Sequence, residues 1–136
     1  MMVNGILFQD KEHAQFTSDK LRQLRDTGHE PDVYAQALFY TLGVCDDTRR
    51  HFEDLFDMED RGIKLDGLQM GWQTGTSRKV TRLAFNLWNG CQYDSEGDAE
   101  AGRLSPYYAV DEIFCCGYLP YFMEAVRLRF PECANT

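Results

Sequence analysis

Gly71-Trp72-Gln73-Thr74-Gly75-Thr76-Ser77-Arg78-Lys79 brings two glycines, three hydroxyls and two bases to the start of a helical apolar pattern. Backbone amides at a helix N-terminus attract anions. Thr76, Ser77, Arg78 and Lys79 therefore form a candidate anion site. The order is not that of a phosphate-binding P-loop, because the bases follow the hydroxyls and no Gly-Lys-Ser run occurs. None of the histidines, His13, His29 and His51, stands beside a nucleophile. His51 with Cys45, or with an acid of its own helix, is the nearest approach to a general-base arrangement. A surface or boundary histidine is the simpler reading.

The five cysteines, Cys45, Cys91, Cys115, Cys116 and Cys133, lack the two close ligand pairs that let local turns build a tetrahedral zinc site. An odd count without a secretion signal reads as reduced thiols in the cytoplasm. Neither a metal nor a cofactor is expected. Asp94, Glu96, Asp98 and Glu100 alternate like calcium ligands. The glycine falls at Gly97, however, and Ser105 takes the place of the closing glutamate, so a solvated loop is expected.

With no nucleophile, base and electrophile in recognisable order, binding reads ahead of catalysis. The formal net charge is −8, and aromatic residues make up 13% of 136 residues. Residues 1–68 hold fourteen acids against eight bases. Nucleic-acid binding needs a basic footprint to displace phosphate counterions, so direct DNA or RNA binding is not expected. An acidic surface instead suits a protein partner with a basic face. Asp46, Asp47, Glu53, Asp54, Asp57 and Asp60 are the candidate acidic face, on a helix spanning roughly 47–58 whose other side carries Phe52, Leu55 and Phe56. Tyr108, Tyr118 and Tyr121 are candidate aromatic anchors, since tyrosine tolerates a half-wet position and often serves as an interface hot spot. A homodimer is a second use of that surface.

The elements that must position these residues are helical. Asp10 caps a helix over 11–26, Pro31 opens one over 31–42, and Val80, Leu83, Ala84, Leu87 and Trp88 mark one over 77–89. Ser105-Pro106 opens a helix over 106–116, and Pro120 opens the last, over 120–130. The expected fold is mainly α, a compact bundle of five or six helices in one domain over residues 1–136. A minor short β-hairpin would pair the Ile6–Phe8 arm with part of 63–72. No apolar run approaches the span of a bilayer, so no membrane segment is expected.

Gly5-Ile6-Leu7-Phe8, Gly71-Trp72-Gln73-Thr74, Ala84-Phe85-Asn86-Leu87 and Phe114-Cys115-Cys116-Gly117-Tyr118-Leu119-Pro120-Tyr121-Phe122 resemble an uncharacterised family of small bacterial proteins from Firmicutes genomes and their mobile elements. The similarity runs over most of the chain and carries no catalytic residues with it. The resemblance implies an accessory, regulatory or anti-defence role rather than housekeeping metabolism. The leading expectation is a non-enzymatic acidic protein-binding module, an inhibitor of a host nuclease or defence complex. The alternative is a small-ligand or nucleotide-binding or processing protein that uses the 71–79 loop.

Overall fold

Asp10, Asp32, Thr74 and Ser95 each stand just before a helix, with a side-chain oxygen turned onto an amide of its first turn. These caps satisfy donors that the helix itself leaves unpaired. The computed structural model describes residues 1–134. The helices begun by those four caps are α1 (Lys11–Asp26), α2 (Val33–Leu42), α4 (Gly75–Asn89) and α5 (Glu96–Ala101). The others are α3 (Asp46–Arg50), α6 (Val110–Ile113), α7 (Leu119–Arg129) and α8 (Pro131–Ala134). The fold is mainly α, with α1, α2, α4 and α7 as its long helices. No helix among the described residues is long and apolar enough to cross a membrane.

The core has two halves, divided by α2 and α4. Leu38, Phe39 and Leu42 of α2 join Ala84 and Phe85 of α4 on one side, together with Phe52, Leu55, Phe56 and Leu68. Ala37 and Tyr40 join Val80, Leu83 and Leu87 on the other, together with Phe8, Ile113, Phe122 and Ala125. This explains why α2 is apolar over more than one stripe: it is covered by α1, α4 and α7. Gly90, at φ +76°, ends α4 in the left-handed conformation that glycine adopts without strain.

Pro31 lies ahead of the Asp32 cap, so α2 starts two residues later than expected. The 11–26 helix and its Asp10 cap are as expected. Trp88 is half-buried, whereas Leu83 and Leu87 are buried.

Three segments depart from the sequence reading. The N-terminal arm pairs with itself rather than with 63–72: β1 (Met2–Val3) and β2 (Ile6–Leu7) form an antiparallel pair. Asn4 and Gly5 have φ +52° and +82°, the conformation that a two-residue hairpin turn requires. The acidic helix expected over 47–58 ends at Arg50. It gives way to a 3₁₀ turn at Phe52–Asp54 and then to a second strand pair, β3 (Phe56–Asp57) with β4 (Gly62–Ile63). A continued helix would have set Glu53, Asp54 and Asp57 at its negative end, which disfavours carboxylates. Gly67 permits the alternative, since a Cβ there would lie 2.4 Å from the Asp54 carbonyl oxygen. Finally, the helix expected over 106–116 is a 3₁₀ turn at Pro106–Tyr108 followed by the short α6. Tyr107 and Val110 are exposed.

Candidate functional site

Five of the six candidate acids fall into three environments, and the sixth, Glu53, is exposed. Asp46 and Asp47 occupy the first turn of α3, where the helix dipole favours them. Both are paired within that turn: Asp46 to Arg49 at 3.6 Å and to Arg50 at 3.2 Å, Asp47 to Arg50 at 2.8 Å. Asp54 is half-buried and accepts a hydrogen bond from Trp72 Nε1 at 3.0 Å. Asp57 and Asp60 stand at the β3–β4 turn, with the exposed Glu59 between them. Asp57 accepts from the amides of Glu59 and Asp60 at 3.0 Å each. The Asp60 amide is the chief cause that holds the Asp57 carboxyl below its ordinary pKa. Glu53, Asp57, Glu59 and Asp60 take part in none of the ion pairs among the described residues.

The 71–79 segment turns most of its donors into the protein. Thr74 and Ser77 cap each other, so α4 begins two residues earlier than expected. Ser77 is buried and donates to Gln73 Oε1 at 2.6 Å. Gln73 in turn donates to the Gly67 carbonyl at 3.2 Å. Arg78 donates to the Leu68 carbonyl at 3.2 Å, and Lys79 donates to the Glu112 carbonyl. Thr76 remains exposed. The four candidate anion-site residues are therefore adjacent in sequence but face different surroundings.

The segment does meet a histidine. The His51 ring lies flat on Trp72, with centroids 4.3 Å apart and planes 8° apart. Its Nδ1 is 3.5 Å from Asp54 Oδ2, the oxygen that receives the Trp72 indole. Asp54 thus holds two stacked rings at the seam between the acidic segment and the loop.

The three candidate tyrosines are half-buried and packed against the core. The Tyr108 hydroxyl donates to the Tyr93 carbonyl at 2.7 Å, and burial raises its pKa. Burial also raises that of Tyr118, helped by the neighbouring Cys45 thiol. The Tyr121 ring is 6.2 Å from His13, edge to face. The exposed apolar side chains near them include Tyr107, Val110, Leu119 and Met123. Cys45 and Cys91 are buried, Cys116 is half-buried, and Cys115 is exposed. Among the described residues, no three His, Cys, Asp or Glu side chains converge as a metal site would require.

Two arrangements escaped the sequence reading. His13 is fully buried, with Nδ1 accepting from the Gln9 amide at 3.1 Å and Nε2 donating to the Tyr40 carbonyl at 2.7 Å. Its place at the cap end of α1 gave no sign of this burial. Arg61 has φ +54° and sits 6.0 Å from the Trp88 ring, with its nearest carboxylate, Asp32, 3.9 Å away. The Arg61-Gly62 step after a run of acids marks a turn, but nothing in it points to Trp88.

Residues 3–136 match the model of DUF6075, a family of unknown function. The chain belongs to the DUF6075 family. No curated protein and no solved structure matches it. For this DUF6075 chain, function has to be argued from its own surface.

Proposed function

We propose that this DUF6075 chain is a non-enzymatic protein-binding module that engages a basic protein surface through its 46–60 segment. The observation that carries this reading is the set of carboxylates over 53–60, Glu53, Asp57, Glu59 and Asp60, left without ion pairs among the described residues of a protein of net charge −8. Unpaired surface carboxylates lose little on meeting a basic face and speed the encounter with it. The exposed Tyr107, Val110, Leu119 and Met123 supply apolar contact of the kind that gives affinity beyond rim charges. A basic groove that normally holds nucleic acid is the most direct target. This makes inhibition of a nuclease or defence complex, in the cytoplasm of a Firmicutes host carrying a mobile element, the working role. A second copy of the chain is the competing occupant of the apolar surface.

Glu53→Lys with Glu59→Lys is the informative variant, because both side chains are exposed and neither holds a turn together. Affinity capture after nuclease treatment supplies the partner, and surface plasmon resonance at two ionic strengths reads the kinetics. The double variant is expected to associate about tenfold more slowly at low salt, with dissociation little changed. Wild-type association with wild-type salt dependence removes the acidic segment from the interface.

The contact between His51 and Trp72 keeps a second reading in view, a small-ligand or nucleotide site at the 71–79 loop. Against it stand Ser77, Arg78 and Lys79, whose polar groups are already bonded within the protein. Calorimetric titration with nucleoside mono- and triphosphates separates the two readings: saturable heat that is lost in Trp72→Ala favours the ligand site.

A further inference from the structure

Two open concavities of about 520 Å³ each lie side by side and share Arg61 and Trp88 as a wall. One is lined by Ile63, Leu65 and Tyr93 as well as by Glu96. The other is lined by Tyr34, Asp32 and Asp60. Three carboxylates and one arginine therefore line the two concavities, together with the aromatic Tyr34, Trp88 and Tyr93. That balance suits a cation beside an apolar side chain.

Arg61 is held poorly where it stands. Its backbone is in the left-handed region that non-glycine residues avoid. Its carboxylate partner is at the outer limit of an ion pair, and its guanidinium is at the outer limit of a cation–π contact. Its Nε is buried without a hydrogen-bond partner among the described residues, a costly state for a charged group. A cation brought from outside can meet the same acids and the same indole without these strains.

Granting the basic partner inferred above, we propose that this pair of concavities is the slot for an extended segment of that partner carrying alternate apolar and basic residues. Arg61 is an internal placeholder: the incoming arginine or lysine displaces it from Asp32 and Trp88, and the neighbouring apolar side chain enters the Ile63–Tyr93 concavity.

The test uses the blocked peptide Ac-Leu-Arg-Leu-Arg-NH₂, with Trp88 indole NMR shifts as the readout. Controls are the same peptide with citrulline for arginine and an Ac-Leu-Glu-Leu-Glu-NH₂ peptide. Arg61→Gly accepts the backbone conformation without strain. Arg61→Gln, which keeps the stem, guards against a folding defect. Both are expected to bind the arginine peptide about fivefold more tightly than wild type, the worth of one cation–π contact. Asp32→Asn, which retains a capping side chain for α2, is expected to weaken it. Equal binding of the citrulline peptide, preference for the glutamate peptide, or unchanged affinity in both Arg61 variants overturns the slot. If the Glu53 and Glu59 reversals still slow the captured partner, the acidic interface stands without the slot. If neither set of variants has any effect, both fail.

Discussion

His13 illustrates how one buried side chain sets a pH limit. Because the Gln9 amide donates to Nδ1, the ring is neutral with its proton on Nε2. Protonation would place a second N–H against that amide and a charge in the core, and burial lowers the pKa from 6.5 to about 4. Unfolded chains therefore bind a proton between those values that the folded chain refuses. Stability contributed by neutral His13 is full above pH 6.5 and declines as pH falls toward 4. The loss approaches about 3 kcal/mol. Denaturant titrations from pH 7 to pH 4 are expected to show that decline, and His13→Asn to flatten it while lowering stability throughout. An equal slope in both proteins would assign the acid sensitivity elsewhere.

At the scale of elements, α4 is the helix that both core halves depend on. Leu87 is 5% exposed and packs among Phe122, Val80 and Tyr40. Leu87→Ala is expected to cost about 2–5 kcal/mol in urea titration, and a loss below about 1 kcal/mol would contradict its core position. Thr74→Ala removes half of the reciprocal cap and is expected to cost about 1 kcal/mol, with α4 amides exchanging faster near Ser77. Helices α1, α2, α4 and α7 were legible because each combines apolar periodicity with a cap or a proline. The acidic stretch was not, because Phe52, Leu55 and Phe56 fit a helical spacing as well as they fit a turn followed by a strand. The turn-and-strand path depends on Gly67, distant in sequence, whose bare backbone leaves room for the Asp54 carbonyl. The Asn4-Gly5 pair, by contrast, is a hairpin signal present in the sequence itself. Site residues were legible only as residue types: the acids were named, but their partners Trp72, Arg49 and Arg50 depend on the fold.

For the whole molecule, charge is the property that conditions will change most easily. Surface ion pairs contribute little each, while the net charge of −8 acts against the compact state. Raising NaCl from about 10 to 150 mM shortens the Debye length from about 30 to 8 Å and is expected to raise Tm. A fall in Tm would mean that the arginine pairs outweigh the repulsion. The order of synthesis imposes a different constraint. The Leu7 amide donates to the Glu124 carboxylate at 2.8 Å, and α7 lays Phe122 and Ala125 against Ala37 and Tyr40 of α2. On the ribosome, α2 is made well before α7, so one flank of the central helix waits bare while the chain grows. Nascent chains halted before Leu119 are expected to be cut rapidly by protease and bound by chaperones, whereas chains released after Ala134 are expected to resist. For this fold, α7 is the closing clasp, and quality control is expected to act on the chain before it arrives.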